Sequence, residues 1–232
     1  MKKISIFLAA VFGIILLNGC ELEKIDNYDG PNAAIYGGIY DIETNELVQQ
    51  DIIRGSGIEY VENHYKNPET QYMVIKNDGT YRNNMMFANT YTIQPVRGNF
   101  VDVPKRGIEV KGETRVDFKV LPYIRIKNAK IEKVGTKIVA TFNLQQNVSN
   151  NVEKIGLYAH EEPNVGEPLK TVSTQMPLGF VTYETTTYTL QIDLESNKNN
   201  LVPGKSYYFR VGALISAPEA KFNYAPAVRI TL

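Results

Sequence analysis

Leu201–Ala213, with the sequence LVPGKSYYFRVGA, decides the fold of the C-terminal half of the chain. Pro203-Gly204 is a pair typical of a turn. The residues from Tyr207 to Ala213 are rich in aromatic and apolar side chains, which favour a β-strand over a helix. The stretch therefore predicts a strand that begins shortly after a turn.

Further strands are predicted around this stretch by the alternation of apolar and polar residues. Lys137–Leu144 places four apolar side chains on one side, and they are expected to be buried. The same alternation recurs in Lys154–Ala159 and Tyr188–Leu194. We therefore predict a β-sandwich over residues 122–232. The four side chains that are expected to be buried in Lys137–Leu144 are those of Ile138, Ala140, Phe142 and Leu144.

The pattern in Leu201–Ala213 resembles strand F of a fibronectin type III domain, and Asn223–Leu232 resembles strand G. The resemblance implies that Tyr207 forms a tyrosine corner, with its hydroxyl bonded back to the preceding turn. It also implies that Phe142 takes the place of the strand B tryptophan, because the chain has no tryptophan. The alternative is another kind of sandwich with a tyrosine-rich strand.

A second set of strands precedes this domain, over residues 31–121. Ala34–Asp41 alternates, and a turn with Asn45 at positive φ is expected after it. Asp78-Gly79 between two apolar runs predicts a hairpin. The segment Ile52–Thr70 fits no regular element, and a loop of that length is often functional. Thr114–Val120 alternates, with three side chains expected to point inward: Val116, Phe118 and Val120.

These motifs resemble the carboxypeptidase-regulatory-like, transthyretin-like β-sandwich. The resemblance rests on Ile35-x-Gly37-x-Ile39-x-Asp41, Thr44–Leu47, Asp78–Tyr81 and Ala88–Ile93. Asn45 and Asn89 stand where that family typically has glycine, and asparagine is the next best residue for a left-handed turn. The resemblance implies a fold and no activity. The chain is thus expected to be all-β, with two tandem sandwiches.

The N-terminus predicts export and lipidation. Lys2-Lys3 precedes the apolar run Ile4–Leu17, which is too short for a comfortable membrane span and fits a signal peptide over residues 1–19. Leu17-Asn18-Gly19-Cys20 resembles a bacterial lipobox, which implies a lipid on Cys20 and anchoring in the outer membrane. An ordinary signal peptide is the alternative. Residues 20–30 are an acidic tether that either resembles a surface-export signal of Bacteroidetes lipoproteins or is a plain linker.

The order of lipobox, acidic tether, regulatory-like sandwich and fibronectin-like domain resembles the DUF3823 family of Bacteroidetes surface lipoproteins. That resemblance implies a cell-surface role beside SusC/SusD-like uptake proteins. It transfers no site residues.

Composition argues against several functions. Lys plus Arg equals Asp plus Glu at 25 each, so no basic excess exists to bind nucleic acid. His64 and His160 belong to no metal-ligand spacing, and no Gly-x-Ser-x-Gly elbow is present. Neither a cofactor nor a metal is therefore expected, and the chain is predicted not to be an enzyme.

Glycan recognition needs only aromatic rings to stack on sugar faces and polar side chains to bond hydroxyls. Six aromatic residues are predicted to lie in loops and to offer such rings: Tyr60, Tyr65 and Phe100 in the first domain, and Phe180, Tyr183 and Phe222 in the second. The leading prediction is a surface lipoprotein that assists the capture or uptake of a polysaccharide or oligosaccharide. A structural or adhesin-type subunit that binds protein is the alternative. An enzyme is the third hypothesis, which a concave cleft with paired carboxylates at a spacing suited to glycosidases would revive.

Overall fold

The computed structural model describes residues 29–232. The predicted signal peptide, Cys20 and most of the tether lie outside these residues. The described part is all-β, as predicted, and contains sixteen strands and no helix, so no helix there could cross a membrane. The strands are β1 (Ala33–Asp41), β2 (Gly57–Glu62), β3 (Thr70–Val74), β4 (Thr80–Met86), β5 (Asn89–Val96), β6 (Arg106–Val110), β7 (Glu113–Arg115), β8 (Phe118–Val120), β9 (Ile124–Val134), β10 (Lys137–Gln146), β11 (Val152–His160), β12 (Val172–Phe180), β13 (Thr187–Asp193), β14 (Ser206–Ile215), β15 (Asn223–Tyr224) and β16 (Val228–Thr231).

The first sandwich packs two sheets around one apolar core. In one sheet β1 pairs antiparallel with β4 and parallel with β7 and β8. The other sheet has the order β3-β2-β5-β6 and is antiparallel throughout. Val116, Phe118 and Val120 are buried between the sheets, which confirms their predicted orientation.

Two turns of this sandwich were predicted from asparagine and glycine. Asn45 adopts φ 60°, as expected. Gly79 adopts φ 87° in a turn that Lys76 closes by donating its N–H to the Thr80 carbonyl oxygen, 2.8 Å away. The predicted hairpin pairing is wrong, because the strands flanking this turn join different sheets: β3 pairs with β2, and β4 pairs with β1.

The sequence predicts no regular element in the segment Ile52–Thr70, and this prediction is wrong in part. The segment contains β2, which lies between β3 and β5 and pairs with both. Ile58 and Tyr60 are buried while Glu59 points outward, so the alternation is present but too short to stand out among the polar residues around it.

The second sandwich has one sheet in the order β13-β10-β9 and another in the order β12-β11-β14, with β15 and β16 both paired to β14. The Tyr207 hydroxyl accepts a hydrogen bond from the Val202 N–H at 2.9 Å, which confirms the tyrosine corner. Phe142 is buried and packs against Tyr188, with ring centroids 6.0 Å apart. The predicted strand G is interrupted between β15 and β16.

The two sandwiches belong to one compact unit, Pro31–Leu232. Arg210 on β14 is completely buried, and its guanidinium lies 4.2 Å from the ring centroid of Tyr224. Its N–H groups donate to acceptors in both sandwiches, so a buried charge is fully hydrogen-bonded across the junction. The acceptors are the carbonyl oxygens of Gln50, Asn77, Val165 and Ala225 and the Oε1 atom of Gln49.

Two further polar contacts fix the junction. The Arg125 guanidinium holds the Asp41 carboxylate with two hydrogen bonds of 2.5 and 2.9 Å, and both side chains are buried. Asn99 donates to the Phe222 carbonyl oxygen at 2.9 Å, and Asn223 donates back to the Asn99 carbonyl oxygen at 2.8 Å. Bonds of this kind depend on direction, so they hold the two sandwiches at one angle.

Candidate functional site

A cleft of about 410 Å³ opens where the outer face of the β3-β2-β5-β6 sheet meets the second sandwich. We call it the Tyr72 cleft. Its volume lies within the range of small-molecule sites, about 300–1,000 Å³. It is lined by Glu59, Tyr72, Gln94, Val96, Arg97, Gly98, Asp102, Tyr123, Pro218 and Glu219.

The floor of the cleft is a row of three side chains on adjacent strands. Tyr72 on β3 stands opposite Glu59 on β2, and Glu59 stands opposite Gln94 on β5. Successive side chains of a strand point to opposite faces, so the burial of Ile58 and Tyr60 forces Glu59 outward. The row therefore presents an aromatic ring, a carboxylate and an amide on one face.

Neighbouring residues hold this row in place. The Arg97 guanidinium lies 4.9 Å from the centroid of the Tyr72 ring, while the Tyr72 side chain remains 55% exposed. Lys105 binds Glu59 with 2.8 Å between Nζ and Oε1. Gln94 donates from Nε2 to the Val103 carbonyl oxygen at 2.7 Å, which leaves its Oε1 as a hydrogen-bond acceptor.

The second sandwich supplies one wall of the cleft through Tyr123, Pro218 and Glu219. The Lys221 N–H donates to the Gly98 carbonyl oxygen at 3.2 Å and joins this wall to the first sandwich. Burial, and to a lesser degree the Asp102 carboxylate, raises the pKa of Tyr123. The Tyr123 hydroxyl therefore stays protonated at neutral pH and can donate a hydrogen bond.

The arrangement is suited to holding a polyhydroxylated ligand, because it combines an aromatic ring with several hydrogen-bonding side chains. Asp102 and Glu219 are exposed, and Glu59 is held by Lys105. These three carboxyl groups line the cleft and offer oxygen atoms that can accept hydrogen bonds from ligand hydroxyls.

Three of the six predicted stacking residues are buried, and the expectation that their rings are exposed in loops is wrong. Tyr60 is on β2 and donates its hydroxyl to Gln71 Oε1 at 2.9 Å. Phe100 lies in the core behind the Tyr72 cleft, where its ring occupies the space that a side chain at Gly98 would need. Phe222 packs against Tyr158 and Tyr224. In each case apolar burial of the ring outweighs the polar local sequence.

The other three predicted residues are exposed but lie apart from the Tyr72 cleft. Tyr65 is 61% exposed in the turn between β2 and β3. Phe180 and Tyr183 are 51% and 71% exposed at the end of β12 and in the loop after it. None of the three lines the cleft.

The residues that form the cleft were not predicted from sequence. Tyr72 lies in the apolar run that precedes Asp78-Gly79, and the alternation of Tyr72 and Val74 with Met73 and Ile75 contains the signal that Tyr72 faces outward. Tyr123 carries no such signal, because its position depends on the angle between the sandwiches. Within residues 29–232, no three His, Cys, Asp or Glu side chains cluster as metal ligands do.

Both halves of the chain match sequence models of one family. Residues 33–121 match "Protein of unknown function (DUF3823) N-terminal domain", and residues 124–229 match "Domain of unknown function (DUF3823_C)". No curated protein matches the chain.

Solved structures show the same fold. A "putative carbohydrate binding protein" from Bacteroides uniformis is 38% identical, with a TM-score of 0.82 over 88% of this chain and 100% of its own. A DUF3823 family protein from Parabacteroides merdae is 20% identical, with a TM-score of 0.76 over 88% of this chain and 100% of its own. Another from Bacteroides uniformis is 18% identical, with a TM-score of 0.75 over 87% and 100%. The latter two comparisons concern the fold alone.

Proposed function

The chain belongs to the DUF3823 family, and from this premise we propose that it is a non-catalytic protein that binds glycan in the Tyr72 cleft. The observation that carries the proposal is the exposed Tyr72 ring, placed in register with Glu59 and Gln94 on one face of the sheet. A sugar ring stacks on an aromatic face, while carboxylate, amide and guanidinium groups bond its hydroxyls. The solved relative at 38% identity bears the description "putative carbohydrate binding protein", which supports the same class of ligand.

Binding without hydrolysis fits the surroundings of the three carboxylates of the cleft. Lys105 pairs with Glu59, and Asp102 and Glu219 are open to solvent. A glycosidase needs one carboxyl group that remains protonated at the leaving-group oxygen. Incubation of the purified protein with each bound glycan should therefore release no reducing sugar.

The setting that we propose is the outer face of the outer membrane. The lipobox at Leu17–Cys20 supports a lipid anchor on Cys20, and the acidic tether after it supports export to the cell surface. A protein held there would pass glycan to SusC/SusD-like uptake proteins. This placement rests on the sequence and on the resemblance to surface lipoproteins.

One observation favours a protein partner as a second candidate function. Phe180, Val181 and Tyr183 are exposed at 51%, 41% and 71% in a single short segment. A contiguous exposed apolar patch is a feature of protein interaction sites. Crosslinking in intact outer membranes should then lose a partner in the Phe180→Ser, Tyr183→Ser double variant and keep it in Tyr65→Ser.

A panel of immobilised plant, host and microbial polysaccharides tests the proposed function. We expect retention of the purified protein on at least one glycan, and loss of retention for Tyr72→Ala. Tyr65→Ala is the matched control, since it removes an exposed tyrosine outside the cleft. Absence of retention on every glycan, or equal retention of Tyr72→Ala, would contradict the proposal.

A further inference from the structure

A second cleft, of about 400 Å³, lies on the other side of the segment that walls the Tyr72 cleft. Pro218 and Glu219 face the Tyr72 cleft, whereas Ala220, Lys221 and Phe222 line the second one. Three cationic side chains line it, Arg54, Lys154 and Lys221, and we call it the basic cleft.

Strands β11 and β14 contribute Lys154 and Leu214 to the lining of the basic cleft. Lys154 on β11 stands opposite Leu214 on β14, on the same face as the buried pair Tyr158 and Arg210. The Lys154 ammonium lies 5.5 Å from the centroid of the Phe222 ring. A cation over an aromatic face is held in place but keeps donors free for a ligand.

Arg54 reaches the basic cleft from the first sandwich. It lies in the turn that follows Asp51 and has a φ of 58°. The Arg54 side chain is therefore contributed across the junction, and the site requires both sandwiches at their fixed angle. Among the ion pairs found in residues 29–232, none includes Arg54, Lys154 or Lys221.

Two carboxylates also line the basic cleft, and each has its own partner within the protein. Asp51 accepts a hydrogen bond from the Tyr224 hydroxyl at 2.6 Å and interacts with the charges of Arg210 and Lys221. Glu167 pairs with Lys170, with 3.3 Å between Oε1 and Nζ. The three cations that line the cleft outnumber its two carboxylates, so its formal charge is positive.

We propose that the basic cleft binds an anionic oxygen group carried by a sugar, either the carboxylate of a uronic acid or a sulfate ester. Three cations from two sandwiches line one partly apolar cleft, and this lining matches the charge and the mixed surface of an acidic sugar. That the anion is carried by a sugar rests on the proposed function. The binding of the anion itself does not, because it uses none of the residues of the Tyr72 cleft.

Calorimetric titration of the purified protein with three probes tests the inference: inorganic sulfate, glucuronate and glucose. We expect both sulfate and glucuronate to bind. If the natural group is a uronic acid, glucuronate should bind more tightly than sulfate. Glucose should not compete with either at this site. Because the cations are partly solvated, binding should weaken as salt rises.

Matched variants locate the binding. Arg54→Gln, Lys154→Gln and Lys221→Gln should each lower anion affinity about fivefold, and the triple variant about a hundredfold. Lys198→Gln removes an exposed lysine elsewhere in the second sandwich and should change nothing. Tyr72→Ala should leave sulfate binding intact, which separates this site from the Tyr72 cleft.

Binding of neither anion, or anion affinity that survives in the triple variant, would overturn the inference. If sulfate binds and is lost in the triple variant while glucuronate does not bind, the anion site stands with sulfate as its group. If both anions bind and no polysaccharide is retained in the panel, the proposed function fails and the anion site remains.

Discussion

Arg210 of the second sandwich donates a hydrogen bond of 2.9 Å to the carbonyl oxygen of Gln50 in the first, and both residues are fully buried. An uncompensated charge in such a place would be costly, but every buried side-chain nitrogen and oxygen in residues 29–232 has a partner. The junction is therefore part of the folded core, and the clefts on either side of it have fixed walls.

Arg210→Met tests this role of the junction. The substitution keeps the approximate length of the side chain but removes the Arg210 donor from three buried carbonyl oxygens, those of Gln50, Val165 and Ala225, so we expect the free energy of unfolding to fall by about 3–5 kcal/mol. Urea denaturation followed by tyrosine fluorescence measures it. Arg229→Met, at an exposed position on β16, should change it by less than about 0.5 kcal/mol. Equal stability of the two variants would contradict a stabilising role for the hydrogen bonds that Arg210 makes across the junction.

Asp41 makes the free energy of unfolding depend on pH in the acidic range. Burial alone raises the pKa of this carboxyl, but hydrogen bonds from Arg125 and the Glu43 backbone outweigh it, so its pKa lies below 3.8 in the folded protein. Its stabilising contribution is present above pH 3.8 and is lost as the pH falls through the folded pKa. Asp41→Asn should therefore lower the free energy of unfolding at pH 7, and it should make that free energy less sensitive to pH below 4. Glu195→Gln, at an exposed position, should leave the acid profile unchanged.

The pKa of Asp51 is shifted in the opposite direction to that of Asp41, so its effect on stability has the opposite dependence on pH. Burial raises its pKa to about 6, although Tyr224 and Arg210 act against this. The folded protein then binds a proton that the unfolded chain releases near pH 3.8, so stability falls as the pH rises from about 4 to about 6. The loss amounts to about 3 kcal/mol at most. Thermal unfolding from pH 4 to pH 7 should show this slope, and Asp51→Asn should remove it. A wild-type profile that rises through this window would contradict the assignment.

The tyrosine corner offers a local test of the second sandwich. Tyr207→Phe removes the acceptor of the partly buried Val202 N–H, so the free energy of unfolding should fall by about 1–2 kcal/mol. Tyr208→Phe is the matched control, because the next tyrosine is only partly buried and its hydroxyl has no bond within the described residues. A larger effect at Tyr208 would show that the corner does not stabilise the fold.

The sequence predicted the fold class and the second sandwich well because their signals are local. The alternation of apolar and polar residues correctly predicted the burial of four side chains, and the Pro203-Gly204 turn correctly indicated the tyrosine corner at Tyr207. The four side chains are those of Ile138, Ala140, Phe142 and Leu144. The pairing around Asp78-Gly79 failed because a turn specifies reversal of the chain and does not specify which sheet the next strand joins.

The candidate site was largely beyond prediction from sequence. Tyr60, Phe100 and Phe222 sit in polar local sequence, and their burial depends on contacts distant in the chain. The Tyr72 cleft and the basic cleft both need walls from two sandwiches, whose angle is set by Arg210 and by Asp41 with Arg125. A single local pattern cannot reveal an angle that long-range hydrogen bonds fix.

The most direct test of the Tyr72 cleft is the affinity of the Tyr72→Ala variant for the glycan that retains the wild-type protein, measured by calorimetric titration beside Tyr183→Ala. We predict that Tyr72→Ala binds at least about tenfold more weakly, since it removes the stacking ring, while Tyr183→Ala stays within about twofold of wild type. Unchanged affinity in Tyr72→Ala, or loss of binding in Tyr183→Ala, would contradict the account and move the site to the loop after β12.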